Sequence, residues 1–158
     1  MFRPMRRYKQ QLSDEACEKV LREAPRGVLA LLGEDGYPYT VPMDFVYDPT
    51  ERKIWFHCAR EGHKLDAIAK CGKASFCVMD EGYRKPGEWA LNISSVVVFG
   101  RIRPVEDREK ALSKVLALGM KYHPSGEAAR KELESTAHRV LCLELEIEHM
   151  TGKLVNES

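Results

Sequence analysis

The sequence predicts a mostly β fold, an antiparallel barrel of about six strands with a few flanking helices. Segments rich in aromatic and β-branched residues recur along the chain, and turn residues separate them. The helical segments between them are too few for the regular alternation of a doubly wound sheet. With 158 residues, 44% of them hydrophobic and 31% charged, the chain is long enough for one folded domain, which we take to span residues 1–158.

The first predicted elements are a helix and a pair of strands. Ser13 is a candidate N-cap, and apolar residues then recur at helical spacing, which predicts a helix over residues 13–24. The apolar run 27–32 and the aromatic and β-branched run 37–47 predict two strands joined by a tight turn. Pro42 has no N–H to donate to a ladder, so its position in the second strand indicates a sheet edge or a bulge.

The middle of the chain predicts three more strands. The segment 53–57 is a short strand, a short helix through Leu65 and Ile68 follows, and 74–79 is the next strand. The segment 89–105 is long enough for a bent strand and includes an apolar run that is typical of burial on both faces. We therefore expect it to be the central strand.

The last third of the chain predicts two helices and a closing strand. Glu106 and Asp107 open a helix, and a second helix is predicted over 127–136. From Leu141 to Glu148, apolar residues alternate with Cys142 and glutamates, which predicts a half-exposed antiparallel strand.

Charge and cysteine content restrict the protein's partners and location. The net charge of +1 and the lack of an apolar run of about 18 residues argue against nucleic acid and membrane partners. The basic residues of the N-terminal arm, residues 1–12, are interpreted as a flexible arm rather than a nucleic-acid site. Five cysteines without C-x-x-C spacing are typical of reduced thiols, so we expect a cytoplasmic protein.

The segment FHCAREGHKLD, residues 56–66, carries the clearest chemical signal. A strand ends and a helix begins there, Gly62 allows close backbone approach, and Lys64 supplies a positive charge, so the segment suits a phosphate. The residues alone leave open a solvated basic loop. A zinc site is not expected, because His57 and Cys58 would point to opposite faces of the strand.

Three segments carry a resemblance to a known family: YPYTVPMDFVYD, IWFHCAREGHKLDAI and SSVVVFGRIRPV. In this order they resemble the pyridoxamine 5′-phosphate oxidase-like flavin-binding split barrels, and within them the nitroimidazole-reductase-like branch. The resemblance covers roughly residues 8–153. It implies a six-stranded antiparallel split barrel and a homodimer with FMN in a groove at the subunit interface.

The resemblance also implies which residues contact FMN. His63 and Lys64 stand where the family usually has an Arg-Lys pair on the flavin phosphate, so the affinity for phosphate is expected to vary with pH. Ala59 replaces a residue that often carries a hydroxyl. The implied cofactor-binding set is Val41, Pro42 and Met43 along the flavin ring, Phe56, His57, Cys58 and Ala59 beside the ribityl chain, Gly62, His63 and Lys64 at the phosphate, and Ser94, Ser95 and Val96 late in the barrel.

By this resemblance the protein is an FMN-dependent oxidoreductase that reduces a small nitroaromatic, such as a nitroimidazole, with electrons from NADH or NADPH. His63 is the one candidate catalytic residue, because an imidazole beside the flavin can donate a proton to a reduced substrate. Two alternatives stay open: a flavin-binding module without turnover, and a haem-binding member of the same superfamily.

Overall fold

A computed structural model describes residues 1–156 of the chain. Its regular elements are seven strands and four α-helices, with short 3₁₀ turns at Tyr8–Gln10 and Glu34–Gly36. In chain order the elements are α1 (Asp14–Glu23), β1 (Gly27–Leu32), β2 (Pro38–Met43), β3 (Val46–Asp48), β4 (Lys53–Ala59), α2 (His63–Lys70), β5 (Lys73–Met79), β6 (Asn92–Pro104), α3 (Arg108–Tyr122), α4 (Gly126–Thr136) and β7 (Val140–Asn156).

All seven strands form one antiparallel sheet in the order β2-β1-β5-β6-β7-β4-β3. The strands at its two ends, β2 and β3, are joined only by Asp44 and Phe45. Because two residues span only about 7 Å, the sheet must curl until its ends approach each other. Within residues 1–156 no ladder closes that gap, so the fold is a split barrel.

The strand count differs from the sequence prediction for one reason. The segment 37–47, predicted as one strand, is divided at Asp44 and Phe45 into β2 and β3. Two of the other expectations for the sheet are confirmed, whereas the expected burial of the apolar run of β6 on both faces is wrong at Phe99, which is 39% exposed. The central position in the strand order belongs to β6, and β2, which contains Pro42, is an edge strand.

The core lies inside the curled sheet, with α1 packed across it. Phe76 is its centre, making edge-to-face contacts with Phe45 (4.9 Å between ring centroids) and Phe56 (5.1 Å), and all three rings are fully buried. The predicted first helix is confirmed, since the Ser13 hydroxyl accepts a hydrogen bond from the Ala16 N–H. This cap satisfies one of the N–H groups that a helix N-terminus leaves free.

Helix α3 covers the outer face of β4 and β7, where Trp55 and Glu144 are buried. The carboxylate of Glu144 accepts hydrogen bonds from Lys53 (3.0 Å) and Arg103 (2.6 Å), which compensates its charge. The expectation of a half-exposed final strand is therefore wrong at Cys142 and Glu144. Alternation shows that the two faces of a strand differ, but it does not show that a helix covers the more polar one.

The N-terminal arm folds back onto its own chain. The Leu12 N–H donates to the Gly152 carbonyl (2.9 Å), and the Phe2 ring stacks on His149 with 4.5 Å between ring centroids. Among residues 1–156, none of the helices combines the length and the hydropathy required to cross a bilayer.

Candidate functional site

Two strand edges lie open where the barrel is split. β4 pairs with β3 only over Lys53–Trp55, so Phe56–Ala59 has a ladder on one side, with β7. β2 pairs with β1 alone. Within the described residues, the outer backbone groups of both edges therefore have no strand partner, and they are available to hydrogen-bond a ligand.

The N-terminus of α2 follows directly on the open edge of β4. Gly62, at its N-cap, has φ 127° and ψ 171°, and no side chain caps the helix. The first N–H groups of α2 and the positive end of its dipole thus lie close to the end of β4 without a side-chain acceptor. The sequence placed an anion-binding turn at this point, and the geometry suits one.

A cleft of about 200 Å³, here called the α2 cleft, lies between this helix end and the two strands. Tyr39 and Val41 of β2 form one wall, and Cys58 and Ala59 of β4 form another. The segment 61–65 closes the end of the cleft. The Tyr39 ring stacks on the His63 imidazole at 4.1 Å between centroids, which positions that imidazole at the mouth.

Lys64 sets the electrostatic character of the α2 cleft. Burial raises the pKa of the Cys58 thiol, and the nearby Lys64 ammonium opposes that rise. Although the His57 side chain is exposed, desolvation within the groove lowers its pKa, Asp44 opposes this effect, and Lys64 adds to it. Desolvation is the larger cause of both shifts, and the contribution of Lys64 has at each group the sign of a nearby positive charge, which an anion site requires.

Two further cavities continue the groove. The edge cleft, about 400 Å³, is lined by Pro42–Asp44 and His57, with Arg26 paired to Asp44 at 2.8 Å. The helix-roofed cavity, about 510 Å³, lies between the end of β4 and the helices α3 and α4. It shares Asp44 and His57 with the edge cleft and Cys58 and Ala59 with the α2 cleft, so the three spaces adjoin.

The structure brings most of the predicted site residues to this groove. The α2 cleft is lined by Val41, Cys58, Ala59, Gly62, His63 and Lys64, and the edge cleft by Pro42, Met43 and His57. The exceptions lie elsewhere. The Phe56 and Val96 side chains are fully buried in the core, and Ser94 and Ser95 lie on β6, beside β5 and β7.

Sequence reasoning missed two contributors to the groove. Tyr39 supports His63, and the α3–α4 hairpin roofs the largest of the three spaces. Tyr39 lies within the quoted segment YPYTVPMDFVYD, next to the residues expected along the flavin ring, as does Asp44, which lines two of the spaces. The roof gave no signal in the sequence, because the apolar faces of α3 and α4 are also what ordinary core packing requires.

Comparison with known proteins fits this geometry. The sequence profile of the pyridoxamine 5′-phosphate oxidase family matches residues 13–154. The chain belongs to this family. The match spans α1 to β7, so the pyridoxamine 5′-phosphate oxidase family accounts for the sheet and for the groove alike. No curated protein sequence matches the chain significantly.

Solved structures confirm the split-barrel fold. A proposed 5-nitroimidazole antibiotic resistance protein from Bacteroides thetaiotaomicron is 18% identical, with a TM-score of 0.75 over 92% of this chain and 87% of that one. An FAD-binding protein from Mesorhizobium loti is 21% identical, with a TM-score of 0.65 over 92% and 97%. An FAD- and haem-binding protein from Mycobacterium smegmatis is 24% identical, with a TM-score of 0.72 over 94% and 74%.

Proposed function

We propose that this protein binds FMN in the groove and uses it as an oxidoreductase. The observation that carries the proposal is the α2 cleft, where a lysine, an uncapped helix N-terminus and an open strand edge converge. The fit to a phosphate is supported at Gly62, because no heavy atom lies within 4 Å of the position that a Cβ would occupy. An anion can therefore approach the backbone closely.

The predicted contacts that lie at the groove have defined roles in this proposal. Lys64 and His63 hold the phosphate, while the open edges of β2 and β4 offer backbone groups to the ring and to the ribityl chain. Phe56 and Met43 can contribute only their backbones, since their side chains are buried. Bound flavin supplies the transfer of hydride or electrons, and the chain binds it, orients it and limits access of water.

The proposed reaction is the reduction of a small nitroaromatic, such as a nitroimidazole, with NADH or NADPH as the electron donor. Family membership supports redox chemistry, and the fold shared with the proposed nitroimidazole resistance protein supports the acceptor class. His63 is the proposed proton donor. Its imidazole lies at the mouth of the α2 cleft and is held by Tyr39, so it can serve both the phosphate and a reduced substrate.

We also propose that the chain forms a homodimer through the outer face of β1, β5 and β6. Val28 pairs with Cys77, which pairs with Val97, so an apolar row crosses this face. Val28 remains 41% exposed and Met79 57% exposed. Ser95 and Val97 are two residues apart on β6, so their side chains lie on the same face. Through this face Ser95, which is far from the groove of its own chain, would reach a flavin held with a partner.

An absorption spectrum of the purified protein tests the cofactor. Bound FMN gives flavin bands in the blue and near ultraviolet, which we expect. A Soret band would instead identify a haem-binding protein, and a spectrum without either band after incubation with FMN would reject the proposal.

Substitution of Lys64 tests the phosphate site. We expect Lys64→Ala to weaken FMN binding by about 1–3 kcal/mol, the range for losing a charge-assisted hydrogen bond. Lys70→Ala is the matched control, because Lys70 ends the same helix and pairs with Glu34 on the surface. Fluorescence titration with FMN gives both affinities. An equal loss in the two variants would contradict the assignment of Lys64.

Turnover tests the reaction. We expect the FMN-loaded protein to be reduced by NADH or NADPH and reoxidised by a nitroimidazole under anaerobic conditions, followed by the flavin absorbance. Flavin that is bound tightly but reduced by neither nucleotide would identify a flavin-binding module without turnover.

A further inference from the structure

The helix-roofed cavity is a distinct space within the groove. Its volume of about 510 Å³ lies within the range of roughly 300–1,000 Å³ that is typical of small-molecule sites. Val115 and Leu118 of α3 and Ala129 and Leu133 of α4 give it apolar walls. None of these four residues belongs to the segments expected to hold FMN.

Two of the polar groups that line this cavity have partners within the chain. The Tyr122 hydroxyl donates to the Pro25 carbonyl (2.6 Å) and accepts from the Phe45 N–H (3.0 Å). One oxygen of the Asp44 carboxylate accepts from Arg26 (2.8 Å). The hydroxyl is therefore engaged, and the charge of Asp44 is balanced by Arg26.

The charged groups at the open side of the cavity offset each other. Glu132, on α4, and Arg139, between α4 and β7, are both exposed and line the cavity with opposite charges. The net charge of Glu132 and Arg139 is zero, so the pair favours neither an anionic nor a cationic ligand. His57 adds an imidazole whose pKa is lowered by desolvation, so at neutral pH it offers hydrogen bonds without charge.

We propose that the helix-roofed cavity binds the electron acceptor, and that this acceptor is an uncharged aromatic or heteroaromatic molecule. The apolar walls of α3 and α4 suit a ring, and the offset charges of Glu132 and Arg139 select against a net charge. Asp44 and His57, shared with the edge cleft along which the flavin ring is expected to lie, place the acceptor beside that ring. The role as an acceptor site rests on the proposed function, whereas the ligand class rests on the cavity.

Three matched probes test the ligand class on the FMN-loaded chain: 4-nitrobenzamide, 4-nitrobenzoate and 4-nitrobenzylamine, which are neutral, anionic and cationic. Isothermal titration calorimetry gives the affinities, and saturation-transfer NMR on the flavin-free chain gives binding independent of flavin. We expect the neutral probe to bind about tenfold tighter than either charged probe, a difference that both methods resolve. Equal affinities for the three probes would overturn the proposal.

Filling the cavity tests its location. We expect Val115→Trp, and independently Leu133→Trp, to weaken the neutral probe about tenfold or more while FMN affinity stays within about twofold. Ala117→Trp is the matched control, because Ala117 is exposed on the same helix and does not line the cavity. Circular dichroism confirms that each variant is folded.

The outcomes separate this proposal from the proposed function. If Val115→Trp and Leu133→Trp weaken FMN itself, the flavin occupies the cavity and the proposal is overturned. The proposal is also overturned if neither variant changes the affinity for the neutral probe. If the neutral probe binds to a chain that takes up no FMN, the flavin function and the acceptor role both fail, while the ligand class of the cavity is upheld.

Discussion

Gly62 is the residue on which the proposed phosphate site most depends. With φ 127° and ψ 171° it lies in a backbone region that is essentially restricted to glycine. The space around its Cα is open, so a larger side chain would be excluded by backbone conformation rather than by a clash. The turn that presents the α2 N–H groups therefore requires glycine for a conformational reason.

We predict that Gly62→Ala destabilises the fold by about 1–3 kcal/mol, the cost of a non-glycine residue in such a region, and also weakens FMN binding. Urea denaturation gives the free energy of unfolding, and fluorescence titration gives the affinity. Gly126→Ala is the control, because Gly126 begins α4 with ordinary backbone angles and a Cβ there would meet its neighbours no closer than 3.5 Å. Equal losses of stability in the two variants would show that the backbone angles of Gly62 do not require glycine.

Histidine at position 63 stands where the family resemblance implies an arginine. The imidazole is the side-chain type whose charge can change near neutral pH, whereas a guanidinium keeps its charge. We predict that FMN affinity increases as the pH falls from about 8 to about 6.5, because the imidazolium attracts the phosphate. In His63→Gln the increase in FMN affinity should be smaller. The part that remains would come from the FMN phosphate and from His57. Identical pH profiles of the two proteins, from FMN titrations, would show that His63 does not contact the phosphate.

At the scale of elements, α3 connects the β3–β4 hairpin to the rest of the molecule. The Lys114 ammonium donates to Asp48 (2.8 Å) and Glu51 (2.6 Å) in the turn between those strands, and it also lies over the Trp55 ring. These hydrogen bonds lower the pKa of both carboxyl groups. Since β4 carries one wall of the groove, this connection helps to position the site.

The lowered pKa values determine the sign of a stability prediction. A carboxyl group whose pKa is depressed on folding contributes stability above its unfolded pKa, about 3.9 for Asp and 4.3 for Glu, and loses it as the pH falls through the folded value. We predict that Lys114→Met lowers the free energy of unfolding by about 0.5–1.5 kcal/mol at pH 7. The difference should shrink towards zero near pH 3. Urea denaturation at both values tests this, with the exposed Lys131→Met as control, and a difference independent of pH would contradict it.

The sequence predicts elements better than their arrangement, and the reason is physical. Helix starts are local: Ser13 and Asp107 cap α1 and α3 with their own side chains, close to the predicted starts. The break between β2 and β3 is not local. Residues far along the chain hold the Phe45 backbone outside the strands: its N–H donates to the Tyr122 hydroxyl, and its carbonyl accepts from the Lys121 ammonium. No pattern within 37–47 encodes these contacts.

At the scale of the whole molecule, one part of the candidate site could be predicted from the sequence and another part could not. Gly62, His63 and Lys64 are adjacent in sequence, so their combination was visible before the fold was known. The helix-roofed cavity joins β4 to α3 and α4, whose residues lie more than 50 positions away, and only the curled sheet brings them together. Resemblance to a family supplied the expected ligand, FMN, which the local patterns left open.

The outer sheet face yields a prediction for the assembled molecule. An apolar row at Val28, Cys77 and Val97 suits an interface between two copies, which for a stable dimer buries about 800 Å² on each chain. We predict that the protein sediments at twice its chain mass of 18.0 kDa. Val97→Arg should give a folded monomer, because it would bury an arginine of each chain in the apolar interface without a compensating charge.

Sedimentation velocity measures the mass, and circular dichroism shows whether the variant is folded. Ala117→Arg is the control, because it adds the same charge on the exposed side of α3. If Ser95 reaches the flavin of the partner, Val97→Arg should also weaken FMN binding, with the loss appearing only where the dimer dissociates. A wild-type monomer that binds FMN tightly would contradict the interfacial site, and a Val97→Arg dimer would place the interface on another face. If each subunit completes the site of the other, as proposed, dimerisation and flavin affinity should change together with protein concentration.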